Sequence, residues 1–382
     1  MAEITGTTQP ALLFIPDISG FTQFVNQVEV NHGQAIIQEL LEALIESNQI
    51  GMKVSEIEGD AILFYKLGKE LKPEEIAAQC RSMFIAFHQQ LRKYDMSRIC
   101  DCGACTAAGN MTLKIIAHQG NVSFFKVKEH EKLFGSDVIL VHRLLKNDIP
   151  EHEYMMVTEN IPLEQLTSSG KKDFDWIKIM KGSSTYDLGT VEYSYSHFKS
   201  LYNSIPEPAK PEVKLYRVKN PIRYEIEINA PIGIVYDALI DLPQRMNYMV
   251  GIKEVKVHDE AHNKINRVGT RHECVREVNS SDVITSKVER SEGMVSFSET
   301  AADQPMSCDY ILEKKNGKTK VTILIHIAIP FIKMMMFNLF MKKKLSANMV
   351  GTMESMKKYC EEKFAKVKPE PTAKEPVPLM AS

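Results

Sequence analysis

ALLFIPDISGFT, residues 11–22, reads as a buried strand that stops at an aspartate. The apolar run from Ala11 to Ile15 is too short for a helix and lacks the alternation of a half-exposed strand. Asp17, Ser19 and Gly20 then supply turn chemistry before the next element. KVSEIEGDAILFYKL, residues 53–67, reads as two strands around the turn Glu58-Gly59-Asp60. Each stretch thus presents one aspartate, Asp17 or Asp60, at a strand end. A lone aspartate there is ordinarily a turn or cap residue. Two presented side by side suit a divalent cation and the phosphates it carries.

Outward from these stretches the first region mixes helix and strand. Ile36, Ile37, Leu40, Leu41, Leu44 and Ile45 follow helical spacing, as do Ile76, Cys80, Met83, Phe84, Phe87 and Leu91. LKIIAHQG and NVSFFKV read as two strands, followed by a helix from Asp137 to about Lys146. EYMMVTE, FDWIKIM and TYDLGTVEYSYS read as three closing strands. The order strand, helix, strand-turn-strand, helix, strand predicts a ferredoxin-like α+β sheet.

SIPEPAKPEVK, residues 204–214, has three prolines and no apolar periodicity, and reads as a semi-rigid linker. The expected organisation is a first domain over residues 8–202, a Pro-rich linker over 203–219, a second domain over 220–367 and a disordered tail over 368–382. A net charge of −2 gives no reason to expect nucleic-acid binding. The apolar run from Ile323 to Met341 is interrupted by His326, Pro330, Lys333 and Asn338, which argues against a membrane span. No N-terminal stretch has the pattern of an export signal, so the expected location is the cytoplasm. Seven cysteines then read as thiols or ligands rather than a disulfide framework.

FIPDISGFT and EIEGDAILF resemble the two metal motifs of class III nucleotide cyclases. LKIIAHQGNV is similar to the strand and His-x-Gly turn that follow in that family, LFGSDVILVHRLLK to its transition-state segment, and IMKGSSTYDL to its closing strand. The resemblance covers about residues 10–195, in order, and is to an uncharacterised bacterial, DUF2652-like branch. It implies a homodimer binding a purine nucleoside triphosphate. Asp17 and Asp60 would hold Mg²⁺ or Mn²⁺ with the carbonyl of Ile18, and amides of Ser19, Gly20, Phe21 and Thr22 would hold phosphate. Glu56 and Lys132 fall on the base-selecting positions, but Lys132 matches neither usual residue, which leaves the purine open. Arg143 and Lys181 fall on the catalytic and triphosphate positions. Ile139 replaces the family's asparagine and cannot donate a hydrogen bond, a loss worth roughly a hundredfold in rate at comparable sites.

The second region opens with a strand, IRYEIEINAP, and a Pro-interrupted helical pair, IGIVYDALIDLPQRMNYM. Six strand-like stretches follow, separated by turn signals such as Lys-Asn-Gly-Lys, then a long helix from about Phe331 to Ala365. INAPIGIVYDALIDLPQRMNYM and the closing helix resemble the helix-grip superfamily of START-like and polyketide-cyclase-like (SRPBCC) domains. That resemblance implies a curved antiparallel sheet around the helix and a cavity for a hydrophobic small molecule. Met334, Met335, Met336 and Met341 would be a pliable lining or ordinary core filler, and His272 and His326 polar handles or plain core histidines.

Cys100, Cys102 and Cys105 lie in one Gly-containing stretch. Closely spaced thiols can wrap Zn²⁺, but a structural site normally has four ligands and no fourth is evident. Two function classes remain: a metal-dependent nucleotide-binding enzyme of cyclase type, and a non-catalytic binding protein whose first region serves dimerisation or sensing.

Overall fold

The computed structural model of the chain describes residues 7–21, 24, 30–68, 71–98, 107–168, 172–209, 213–258, 267–277 and 280–367. It divides into two units, Met1–Met96 with Asp101–Lys210, and Ser97–Cys100 with Pro211–Ser382. Cys100, Cys102, Cys105 and Thr22, together with the expected tail, lie outside the described residues.

In the first unit the strands are β1 (Gln9–Ser19), β2 (Lys53–Glu58), β3 (Ala61–Leu67), β4 (Thr112–Val127), β5 (His130–Phe134), β6 (Tyr154–Thr158), β7 (Met180–Tyr186) and β8 (Gly189–His197). Among the described residues they form one sheet in the order β2-β3-β1-β4-β6-β8-β7, with β5 paired to β4. The helices are α1 (Val30–Glu46), α2 (Pro73–Ser97), α3 (Ser136–Leu144) and α4 (Glu164–Ser168). The β4–β6 pairing is parallel, and the crossover it requires is supplied by β5 and α3.

The unbroken apolar run in β1 follows from its central place. Leu13 and Ile15 pack into a core with Val138, Val141 and Leu144 of α3. Leu12 and Phe14 alternate to the opposite face and are equally buried. A strand covered on both faces has no polar side to show.

Three sequence expectations are corrected. LKIIAHQGNVSFFKV is one continuous strand, β4, not two strands around a turn. FDWIKI is not a strand: a 3-10 turn at Lys172–Phe174 leads into a segment that buries Trp176 and Ile177 without pairing. TYDLGTVEYSYS is a hairpin, β7 to β8, closed where Tyr186 pairs with Gly189 at φ 110°.

Gly120, in the middle of β4, is where α3 is seated. A Cβ there would stand 2.6 Å from the Asp137 carboxylate. Asp137, in the first turn of α3, accepts from the Asn121 amide at 2.6 Å and lies 3.3 Å from His118 Nε2. His118 Nδ1 pairs with the Thr158 hydroxyl at 2.8 Å on β6. Burial holds His118 below its usual pKa, partly countered by Asp137. The glycine therefore serves close approach rather than a turn.

The second unit carries β9 (Ile222–Ile228), α5 (Ile232–Ile240), a 3-10 turn at Leu242–Asn247, β10 (Glu254–His258), β11 (Arg271–Val275), β12 (Ser280–Ser291), β13 (Met294–Ala301), β14 (Met306–Lys315) and β15 (Lys318–Ile327). Its seven strands, among the described residues, form an antiparallel sheet in the order β10-β11-β12-β13-β14-β15-β9. Asn316 and Gly317, both at positive φ, close the two-residue turn between β14 and β15 as the Asn-Gly signal predicts. The expected long helix is two helices, α6 (Phe331–Phe340) and α7 (Lys342–Val367). Met341 departs from helical φ at −109°. α7 packs on β9 and α5, burying Met353, Met356 and Cys360, whereas α6 buries none of its residues. The change from a packed to an unpacked face coincides with the break.

The sheet interior is unusually polar. Arg245 and Glu299 form a buried ion pair at 2.7 Å, and Arg245 Nε also donates to the Leu239 carbonyl at 2.8 Å. Burial opposes the charge on Arg245, but Glu299, Tyr310 and Tyr248 together more than offset it. His272 is fully buried, and neither ring nitrogen has a hydrogen-bond partner among the described residues. Burial lowers its pKa to about 4, with smaller influences from Glu299, Arg245, Asp282 and His258.

Two stability predictions follow from these contacts. Gly120→Ala is expected to cost about 1–3 kcal/mol in urea unfolding by forcing Asp137 aside, whereas Gly109→Ala, with open space at its Cβ, stays within about 0.5 kcal/mol of the parent. His272 is neutral when folded and takes up a proton on unfolding between its folded pKa near 4 and the ordinary 6.5. Its depressed folded pKa therefore makes stability fall as pH drops through that window, by up to about 3 kcal/mol. His272→Phe should flatten that part of the pH profile, and an unchanged slope would remove His272 as its source.

Candidate functional site

The C-terminal end of β1 lies between β3 and β4, and its register decides which side chains meet. Asp17 is opposite Ala61 on β3 and Lys114 on β4. The Ile18 amide donates to the Asp60 carbonyl at 3.1 Å, which ties the β2–β3 turn to the end of β1. Asp60 stands above the ordinary carboxylate range, first because it is half-buried and then because of the Asp17 charge. The two aspartates therefore share one electrostatic site. Gly59 turns the chain there at φ 64°, and the ring of Phe21 lies 3.7 Å from where a Cβ on it would stand.

Ser19 and Gly20 complete this end. The Ser19 hydroxyl oxygen is buried and has no hydrogen-bond partner among the described residues. Gly20 adopts φ 92°, a conformation that favours glycine, and its carbonyl accepts from the Phe24 amide at 3.0 Å.

Lys114 is the residue that sequence reasoning missed. Its ammonium is 3.0 Å from Asp17 Oδ2 and donates to the Leu145 carbonyl at 3.1 Å, just past α3. A helix C-terminus favours a cation, so α3 and Asp17 hold Lys114 together. Its positive charge also lowers the pKa of Asp60. Two carboxylates and one lysine leave one net negative charge, and carboxylate oxygens are the hard ligands that Mg²⁺ or Mn²⁺ takes. Among the described residues no group of three or more His, Cys, Asp or Glu side chains converges as a protein-only metal cage would. A cation held here would need further oxygens from phosphate or water, as Mg²⁺ commonly does.

The other expected site residues are placed as follows. Glu56 and Lys132 meet each other: Lys132 Nζ donates to Glu56 Oε2 at 2.9 Å, and this contact raises the lysine's pKa. His142 of α3 lies 3.6 Å from the other Glu56 oxygen. Arg143 pairs at 3.3 Å with Asp187 in the β7–β8 turn. Ile139, one helical turn before Arg143, is exposed. Lys181 pairs at 2.9 Å with Glu164 of α4. Arg143 and Lys181 thus point at carboxylates of their own rather than at the aspartate pair.

The second unit holds a cavity of about 390 Å³ between its sheet and α7. Its walls include Ile323, Ile327, Met353 and Met356, with Arg245 and Tyr248 as polar points. Neither His272 nor His326 is among its lining residues. His326 is bonded instead, lying 3.1 Å from Asp309 and accepting from the Val218 amide. Of the four methionines expected to line a cavity, Met341 does so, while Met335 and Met336 are more than half exposed.

Among the described residues, no helix is long and apolar enough to cross a membrane. Residues 37–154 match the family described as "Protein of unknown function (DUF2652)". Among solved structures, the guanylyl cyclase Cya2 is similar at 14% identity and a TM-score of 0.39, over 50% of this chain and 93% of that one. The adenylyl cyclase CyaB from P. aeruginosa is similar at 11% identity and a TM-score of 0.35, over 50% of this chain and 95% of that one. At those scores neither likeness bears on fold or activity. The protein described as "Uncharacterized protein Rv2561/Rv2562" from Mycobacterium tuberculosis is 33% identical over 176 residues, 46% of this chain and 77% of that protein. The identity and coverage are high enough that the chain belongs to the family of that mycobacterial protein.

Proposed function

We propose that the first unit binds a purine nucleoside triphosphate through a divalent cation, and that the second unit, a helix-grip fold, takes a hydrophobic small molecule. The observation that carries the first part is the coupling of Asp17 and Asp60 in one electrostatic site, with the buried, unpartnered Ser19 hydroxyl two residues along the same strand. A bound Mg²⁺ or Mn²⁺ would supply charge neutralisation at the phosphates. Asp17 and Asp60 would hold it, and the turn at Gly20 would bring backbone amides to the phosphate oxygens.

Magnitudes bear on what happens to the bound nucleotide. The pairs Lys132–Glu56, Arg143–Asp187 and Lys181–Glu164 each have a partner that is more than half exposed. Such exposed pairs are screened by water and contribute little. A polyanionic ligand can therefore draw Arg143 and Lys181 away from them at little cost. What cannot be restored is a hydrogen-bond donor at Ile139. Attack of the ribose 3′-hydroxyl on the α-phosphate, with its proton lost to water and pyrophosphate leaving, would proceed with Arg143 but no asparagine beside it to steady the developing charge, so binding is favoured over rapid turnover. A homodimer would cover some of the apolar side chains exposed on this unit, Ile57, Phe134 and Ile139 among them.

Calorimetry with Mn²⁺ and each nucleoside triphosphate tests this reading. Asp17→Asn should weaken triphosphate binding by about tenfold or more and remove its metal dependence. Lys114→Gln should tighten metal binding several-fold by removing the internal cation that competes for Asp17. Failure of every triphosphate to bind would overturn the proposal; binding with no cyclic product would select a sensor over an enzyme.

For the second unit, native mass spectrometry of the full chain should show a co-purified apolar mass. Met353→Phe, which fills the cavity, should lower its occupancy. A chain that carries no such mass, and stays empty when incubated with long-chain fatty acid, would count against the cavity as a binding site.

A further inference from the structure

α6 is the most exposed apolar element of the described chain, and nothing in the nucleotide or cavity readings uses its outer face. Its sequence is FIKMMMFNLF, with Lys333 and Asn338 as the sole polar residues. Phe331 is 84% exposed and Phe340 73% exposed, and Ile332, Met335, Met336, Leu339 and Met341 are each more than half exposed. Isolated exposed apolar residues are normal in proteins, but a contiguous patch of this kind marks a surface that meets something.

Charge identifies the occupant. Lys342, Lys343 and Lys344 open α7 one residue after α6, and Lys333 lies within α6, all exposed. No Asp or Glu occurs between Glu313 and Glu354, in a chain whose basic and acidic residues number 47 and 49. An apolar face bordered by lysines, with acids excluded, is complementary to a bilayer whose surface is anionic and whose interior is apolar. A second copy is a poorer match, because a twofold contact would set the same lysines against each other. At ten residues the helix is about 15 Å long, half of a bilayer's hydrocarbon thickness. It is therefore built to lie in the interface rather than to cross it.

We propose that α6 and the lysines after it dock the second unit onto an anionic lipid bilayer. Phe331, Ile332, Leu339 and Phe340 enter the acyl boundary, and Lys333 and Lys342 to Lys344 engage the lipid phosphates. Phe337, Met341 and Leu345 also line the 390 Å³ cavity, so docking brings one wall of that cavity to the bilayer. Vesicle binding and cavity occupancy are read by different experiments, and either can fail while the other holds.

The test is flotation of the full-length chain with vesicles of phosphatidylcholine alone or mixed equally with phosphatidylglycerol. The chain should bind the anionic vesicles about tenfold or more better than the neutral ones, and raised salt should weaken the binding. The double variant Phe331→Glu with Phe340→Glu should lose vesicle binding while keeping the parent's circular dichroism and melting temperature, since neither side chain is packed. Lys342→Glu with Lys343→Glu should lose the preference for phosphatidylglycerol. A wild-type chain that stays off anionic vesicles overturns the proposal, as does a double-glutamate variant that still floats. A dimer dissolved by the double-glutamate change, with no vesicle binding by the parent, would assign the face to a second copy instead.

Discussion

The pairing of β1 with β3 on one side and β4 on the other is the constraint on which the first unit depends. Side chains alternate along a strand, so a slip of one residue would exchange the Leu13–Ile15 face with the Leu12–Phe14 face. Both faces are fully buried, so neither set can move to solvent. The same register puts Asp17 opposite Lys114 and brings the Asp60 carbonyl to the Ile18 amide. The candidate site is thus a consequence of core packing several residues away. Its geometry is as rigid as the hydrophobic alternation that fixes the strand.

Electrostatics at that strand end is balanced between two states. Lys114 satisfies Asp17 internally and is itself held by the end of α3, so the protein does not require a metal to tolerate the carboxylates. Asp60 is less well served: burial and the Asp17 charge both oppose its ionisation, and Lys114 compensates only in part. A divalent cation would relieve that residual repulsion more than a monovalent lysine does. It would compete with Lys114 for Asp17, which predicts a modest rather than a tight affinity unless phosphate supplies further oxygens.

How much of this was legible in the sequence depended on whether a local signal had one meaning or two. The run from Ala11 to Ile15, the turn at Gly59 and the Asn-Gly turn at Gly317 each have a single physical reading, and the structure agrees. A glycine in a strand does not. Gly120 reads as a turn, yet it makes room for Asp137 and leaves β4 unbroken. Trp176 and Ile177 are apolar enough to read as a strand, but their burial is local and their backbone unpaired in the sheet. Lys114 could not be found at all without the β1–β4 register, because one lysine in an alternating strand carries no signal of its partner. The carboxylates opposite Arg143 and Lys181 were hidden for the same reason: Asp187 and Glu164 lie in a turn and a short helix that the sequence reading did not resolve.

The second unit distributes polarity against the usual order. Arg245 and Glu299 are buried where an apolar pair of similar volume would serve stability as well, and breaking the pair by removing Glu299 alone would cost about 3–5 kcal/mol. His272 adds a buried ring with no partner among the described residues. Outside, α6 leaves its aromatic and aliphatic side chains in water. Neither arrangement is what folding stability alone would select. Arg245 does reach the wall of a largely apolar cavity, and α6 contributes Phe337 to that same wall. A charge inside the cavity and an apolar face outside it are both disadvantages to an isolated fold. They become advantages together if the unit meets an amphipathic molecule at an apolar surface, because the buried charge then has a polar group to address and the exposed face has somewhere to go.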